Sequence, residues 1–310
     1  MAIASKSARC RLLILHDLLL LSIFCFPRAS SVSFDYNFSA PGVLAGAVLK
    51  YTGNSTAAVD RIDLTKATKN SSGRVAYGQA VRLWDNGTGE VASFTSNFTF
   101  VIKPINGTDQ AAKQFTLVCC RSCMQGDGMA FFVAAYPGNS LPPQSGGGYL
   151  GLLGSHASLF NSPPIVAVEF DTFRNVWDPS DTWKNHIGVD VNSIRSAAYA
   201  PLPNGSFNGT MSAWVRYNAS ARTLSATLRF NDLPGLGLYN VSTTVDLREA
   251  RLPQDGAVGF SAATGSDTEH HQILSWSFES TLDSVTVINN AGKWLHLFLF
   301  FYVSPRLLLE

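Results

Sequence analysis

Charge is scarce in this 310-residue chain: Asp, Glu, Lys and Arg together make up 15%, and the net charge is +1. That balance gives no electrostatic case for a nucleic-acid partner. Cysteine is scarce too, with five in all. Cys10 and Cys25 lie in a leader-like segment, which leaves Cys119, Cys120 and Cys123 for the body of the chain. Three clustered cysteines cannot staple a fold of this length, and an odd number leaves at least one unpaired. No long segment shows the 3.6-residue period of an amphipathic helix. The catalytic signatures G-x-S-x-G and H-E-x-x-H are absent, and so are the phosphate loop, HRD and DFG of a kinase. Hydrophobic residues are plentiful at 46%, enough for a sizeable core.

The first residues have the architecture of a secretory signal. Lys6, Arg9 and Arg11 precede the apolar run Leu12–Phe26, and small residues follow at Ala29–Ser31. Residues 1–31 are therefore expected to be a cleaved leader. Ten N-x-S/T sequons agree with secretion: Asn37, Asn54, Asn70, Asn86, Asn97, Asn106, Asn204, Asn208, Asn218 and Asn240. The end of the chain, 291–310, is a hydrophobic tail of unassigned role. Its apolar stretch Trp294–Val303 is shorter than a bilayer needs, which leaves membrane association through the tail an open alternative.

Between these ends the text is strand-like. SFDYNFS, RVAYGQAVRLWD, ASFTSNFTFVI, GMAFFVAAY, IVAVEFDTF, HIGVDVNSI, TLSATLRF, GAVGFSAAT and ILSWSFES are short, β-branched or aromatic, and often alternating. Gly, Pro, Asn and Ser separate them. That pattern predicts an all-β sandwich or barrel, one domain over 32–290.

The densest chemistry lies in VEFDTFRNVWDPSDTWKNHIGVDV. Glu169 and Asp171 are two apart on a strand and so share one face. Two carboxylates on an otherwise apolar strand repel and resist burial, and a bound cation removes both objections. Asp171, Asn175, Asp178 and a backbone carbonyl offer oxygen only, which suits Ca²⁺. Glu169, Asp171, Asp178 and His186 add an imidazole, which suits a transition ion such as Mn²⁺. The competing reading is a solvated loop beside an ordinary strand-end pair. Paired acids also serve glycoside hydrolysis. Arg174 stands where a further acid would be expected, so an enzyme is not the expectation. His270 and His271, in TGSDTEHH, read as solvated loop residues.

The blocks SFDYNFS, GRVAYGQAVRLWD, ASFTSNFTFVI, GDGMAFF, GGGYLGL, VAVEFDTFRN, HIGVDVNSI and GFSAATG…LSWSF resemble, in order, the legume-type lectins of plants. They are similar as well to the lectin ectodomains of plant lectin receptor kinases, here without the kinase. The resemblance implies a jelly-roll β-sandwich with a back, a front and a small top sheet. It implies reversible binding of glycans or glycoproteins outside the cell, without catalysis. Carried over by motif, Glu169, Asp171, Asp178 and His186 would hold Mn²⁺, with Ser196 reaching it through water. Asp171, the Phe173 carbonyl, Asn175 and Asp178 would hold Ca²⁺. The Asn175–Asp178 spacing is shorter than in many seed lectins, which makes Asp181 a reserve ligand.

The sugar pocket implied by the same match uses Asp127, Gly148, Phe173 and Asn175, with Ser266 and Asp267 on a variable loop. It includes a cis peptide before Asp127. Pairing of two copies through the back sheet is a further family expectation. One segment departs from the pattern: Ala111–Gln125, AAKQFTLVCCRSCMQ, interrupts the match immediately before Gly126. It reads as a surface loop or as a gene-model artefact such as retained intron sequence. Its Cys-x-x-Cys lacks the further ligands a zinc site needs.

Overall fold

The computed structural model describes residues 31–105, 125–155, 163–182 and 185–281. The leader (but for Ser31), the insert (but for Gln125), the tail and all five cysteines lie outside the described residues. The strands, in chain order, are β1 (Val32–Asn37), β2 (Leu49–Gly53), β3 (Thr56–Ala57), β4 (Ile62–Asp63), β5 (Ser72–Tyr77), β6 (Val81–Arg82), β7 (Ser93–Pro104) and β8 (Gly128–Ala135). They continue with β9 (Ile165–Asp171), β10 (His186–Val191), β11 (Ala198–Pro201), β12 (Gly209–Asn218), β13 (Thr223–Phe230), β14 (Leu238–Thr244), β15 (Asp255–Ala263) and β16 (Glu269–Thr281).

They form two antiparallel sheets. The first runs β14-β13-β12-β7-β16-β4-β3, with β1 also on β16. The second runs β11-β10-β9-β8-β15-β5-β2, with β6 also on β15. The expected jelly-roll sandwich is present. The described strands sort into two sheets rather than three, because β4 pairs with β16 at Ile62↔Ile273 and carries β3 with it.

Alternation sets which side chains meet. Along β7, Phe94, Phe98, Phe100 and Ile102 point inward, while Thr95, Asn97 and Thr99 point out. On β12, Met211, Ala213, Val215 and Tyr217 are buried, and Trp214 and Arg216 are exposed. Strands β8 and β9 have no such alternation and are buried on both faces. One face gives Met129, Phe131, Val133, Val166, Val168 and Phe170 to the main core. The other gives Ala130, Phe132, Ala134 and Ala167 to a second cluster, closed by Leu150, Leu152 and Leu153. The loop before β9 thus lies over the outer face of the second sheet. Glu169 and Asp171 fall on that covered face, which positions the site.

Phe98 stitches the two sheets together. From the first sheet it meets three rings of the second: Phe260 at 4.8 Å, and Phe131 and Phe170 each at 5.9 Å. No helix among the described residues is long and apolar enough to cross a membrane. Phe98→Ala should lower unfolding free energy by about 3–5 kcal/mol, the usual cost of deleting a buried ring. Urea unfolding measures this, and a loss under about 1 kcal/mol would show the sheets do not depend on it.

Candidate functional site

Three strands bring the acidic residues together. The ladder pairs His186 with Asp171 and Gly188 with Glu169 across β9–β10, and Gly128 with Asp171 across β8–β9. Glu169, Asp171 and His186 each offer an atom within 4.8 Å of the others, and all three are buried. His186 Nε2 lies 3.2 Å from Glu169 Oε1. The Ser196 hydroxyl donates directly to the same oxygen. Gly188 is required here: a Cβ would sit 2.7 Å from Ser196 Oγ and nearer still to Glu169.

Asp178 joins from the loop after β9. Its carboxylate accepts from the Asn175 backbone N–H, and its charge acts on Asp171. Burial and the Asp178 and Glu169 charges push Asp171 well above the usual carboxylate range. Burial likewise lifts Asp178 to about 6. Asp190, two residues beyond Gly188 on the same face, is raised well above normal by burial and then by Glu169. Asp181 is turned elsewhere: it is exposed and accepts the Tyr199 hydroxyl at 2.7 Å. The nearby arginine, Arg174, is exposed. Crowded buried carboxylates with one imidazole, a hydroxyl and amide oxygens form a donor set that fits divalent cations.

The pocket residues converge beside this cluster. Asp127 follows a cis peptide at Gly126. Its N–H donates to Ala263 O and its carbonyl accepts from Thr172 N–H, both at 3.0 Å, so two neighbouring strand ends fix it. Gln125, the one described residue of the expected insert, is buried and its amide donates to Phe207 O. The Asp127 carboxyl is 5% exposed, and Oδ2 has no hydrogen-bond partner among the described residues. Burial, with Glu269 and Asp267 nearby, raises its pKa to about 7.

Glycines make the room. A Cβ on Gly265 would lie 2.6 Å from Asp127 Oδ2, and one on Gly147 would lie 3.8 Å from the same atom. A Cβ on Gly148 would strike the Asn175 amide. One on Gly126 would meet Phe173 at 3.3 Å and Asp267 at 3.6 Å. Asp127, Gly148, Phe173, Asn175 and Asp267 are thus brought together. Ser266 sits exposed at the tip of the loop Thr264–Thr268.

Two supports behind the pocket were not anticipated. Arg74 is buried, meets no carboxylate among the described residues, and donates instead to Gly151 O and Leu152 O at 2.8 Å and to Gly138 O at 3.5 Å. Its guanidinium lies 4.7 Å from the Phe132 ring centre. Burial lowers its pKa to about 10, so it stays charged at neutral pH. It pins the loop carrying Gly147–Tyr149, while Tyr149 packs on Trp177 at 5.1 Å and ties that loop to the acidic one.

The second support corrects an expectation. His271 is not a solvated loop residue, because β16 begins at Glu269 and turns His271 inward. Its Nε2 lies 2.8 Å from Glu269 Oε1 and its Nδ1 2.9 Å from Thr65 Oγ1. Thr172 Oγ1 donates to the same Glu269 oxygen at 2.6 Å, so the pair anchors the strand end between Asp171 and Phe173. His270 is half-buried, and burial lowers its pKa. The E-x-H spacing, which puts Glu269 and His271 on one strand face, was the available signal.

Arg74→Met keeps apolar bulk over Phe132 but leaves three carbonyls short of a donor. Hydrogen exchange in residues 144–153 should rise at least about tenfold, since lost hydrogen bonds there lower the cost of local opening. The β7 and β12 amides should stay protected; equal exchange everywhere in mutant and parent would deny Arg74 this role.

The chain matches the legume lectin domain family over residues 31–294. Favin of Vicia faba is 38% identical over 237 residues, covering 76% of this chain and 90% of that one. Among solved structures, basic winged bean lectin with Tn-antigen superposes at a TM-score of 0.67. It shares 35% identity and covers 82% of this chain and 100% of its own. A metal-free form of lectin I-B4 from Griffonia simplicifolia superposes at 0.66 with 32% identity, over 80% and 99% of the two chains. With a family match over most of its length and relatives above 30% identity, this chain belongs to the legume lectin family.

Proposed function

We propose that this protein is a secreted lectin that binds glycans without transforming them, and that its pocket requires Ca²⁺ and Mn²⁺. The observation that carries this is the Asp127 carboxyl: buried, held on both sides, with one oxygen lacking a partner among the described residues, and facing Gly147 and Gly265. An unpaired buried acceptor is costly, and a sugar hydroxyl satisfies it. Asn175 adds an amide that both donates and accepts, the Gly148 N–H donates, and the Phe173 ring covers the C–H face of a sugar. Ser266 and Asp267 lie at the rim, where they would read neighbouring hydroxyls. The leader and the sequons support secretion.

The cation roles follow from the donors. Glu169, Asp171, Asp178 and His186 would hold Mn²⁺, and Asp171, the Phe173 carbonyl, Asn175 and Asp178 would hold Ca²⁺. Bound ions supply the positive charge that keeps these carboxylates and Asp127 ionised at neutral pH. Asn175 and Phe173, the latter by its carbonyl toward Ca²⁺ and its ring toward the sugar, would then serve both the ion and the sugar, so ion loss and sugar loss are coupled through them.

On a glycan array the protein should bind a defined set of sugars, and EDTA should abolish the signal. Asp127→Asn should weaken binding about 10- to 100-fold, the range for one charge-assisted hydrogen bond. Full binding by Asp127→Asn, or in EDTA, would sink the reading.

Without ions, Asp127 and Asp178 have native pKa values of about 7 and about 6, above those of an unfolded chain. A raised carboxyl pKa means the native state prefers the protonated form, so stability falls as pH rises toward the native pKa. Melting of the ion-free protein should therefore drop from pH 5 to pH 8. Ca²⁺ and Mn²⁺ should restore more at pH 8 than at pH 5, at about 2–4 °C per kcal/mol. Equal restoration at both pH values would show that these carboxyls are not the ones relieved.

A further inference from the structure

The outer face of the first sheet plays no part in the pocket, yet it has an ordered surface of its own. Strand register sets Asn240, Thr227, Trp214 and Asn97 side by side on β14, β13, β12 and β7. Continuing the row are Ser277 on β16 and Asp35 on β1. Around them the face is hydroxylic and charged: Thr95, Thr99, Arg216 and Arg229. Trp214 is the exception, a large aromatic 38% exposed, with the Arg229 guanidinium 5.4 Å from its ring centre.

The two asparagines in this row are both sequon acceptors, Asn97-Phe98-Thr99 and Asn240-Val241-Ser242. Both are exposed, while the middle residue of each sequon, Phe98 or Val241, points into the core. Asn240 Oδ1 accepts from Thr227 Oγ1 at 2.6 Å, which turns its amide nitrogen, the atom a glycan joins, away from Thr227. By contrast, the Asn54 amide nitrogen is occupied, donating to Ser71 Oγ at 2.9 Å. Directly opposed residues in a sheet stand about 5 Å apart at Cβ, so the first sugar on Asn97 reaches the indole face. Strand β14 is also the outer strand of this sheet, and an exposed outer strand invites pairing with other chains. Leu238, 59% exposed, lies on that strand.

We propose that Asn97 and Asn240 carry N-linked glycans that lie over Trp214 and close this face and its outer strand to other proteins. In the transfer, the asparagine amide nitrogen bonds to the anomeric carbon of an oligosaccharide carried on a lipid diphosphate. The sugar–diphosphate bond breaks, the lipid diphosphate leaves with the electron pair, and the amide gives up one proton. A neutral sugar then satisfies the outward hydroxyls and stacks on the indole. The inference rests on the secretion part of the function proposed above, and it opposes the expectation that two copies pair through this sheet.

The test expresses the full chain in a glycosylating secretory host, beside Asn97→Gln/Asn240→Gln and a second double variant, Thr99→Ala/Ser242→Ala, which removes both sequons and leaves both asparagines. Glycopeptide mapping should find Asn97 and Asn240 occupied in the parent and bare in both variants. Hydroxyl-radical footprinting should oxidise the Trp214 peptide at least about twofold faster in both variants, because the indole is uncovered. Light scattering should give a monomer for the parent and self-association for the variants. An unoccupied Asn97 or Asn240, or equal Trp214 oxidation in parent and variants, would overturn the proposal. Glycan-array binding of the same samples reads the pocket alone, so its absence would count against the lectin reading and leave the occupancy result standing.

Discussion

Like charges resist being buried together, and this molecule buries several carboxylates close to one another. Asp127, Glu169, Asp171, Asp190 and Glu269 are all nearly or fully inaccessible. Glu269 is answered locally by His271 and Thr172. Beside the others, His186 lies 3.2 Å from Glu169, but among the described residues no buried lysine or arginine joins it, since Arg74 is committed to backbone carbonyls and Arg174 faces solvent. Much of the surrounding architecture reads as accommodation of that charge. Gly128 and Gly188 leave space beside it, the Trp177–Tyr149 contact closes the loops around it, and Asn175 lends its backbone N–H to Asp178. The donors gathered there fit divalent cations, and the sugar recognition proposed above draws on the same residues.

The sandwich itself was legible in the chain because period-two alternation is a local property. β7 and β12 declare their inward faces with one residue type every second position. The acid cluster was legible for a similar reason: Glu169 and Asp171 are near neighbours on one strand, and an imidazole follows within reach of a single connection. Arg74 was not legible. Its partners are backbone carbonyls of a loop some 77 residues away, and carbonyls leave no mark in a sequence. His271 was misplaced because TGSDTEHH is polar throughout, so composition spoke for a loop while the ladder to β7 runs on to Glu269. Burial of a histidine by a distant threonine, Thr65, is likewise invisible to any local pattern.

The molecule divides its labour between two surfaces. At the ends of β8, β9 and β15, backbone and small residues leave a hollow where polar groups converge. On the opposite side of the sandwich, a broad polar sheet presents one aromatic between two modifiable asparagines. The core joins them mechanically through Phe98 and its ring contacts, with Asn97 pointing out beside it. The recognition proposed at one surface and the shielding proposed at the other are therefore separable, because no described side chain belongs to both.

The loop Thr264–Thr268 is anchored at both ends, by Thr264 N–H on Ser71 O and by Ile105 N–H on Thr268 O, while its tip Ser266 touches solvent. Substitutions at such a tip cost little stability, because the anchors lie in the backbone of neighbouring segments. A change at Ser266 can thus alter the groups presented beside Asp127 while the anchors and the fold stay as they are.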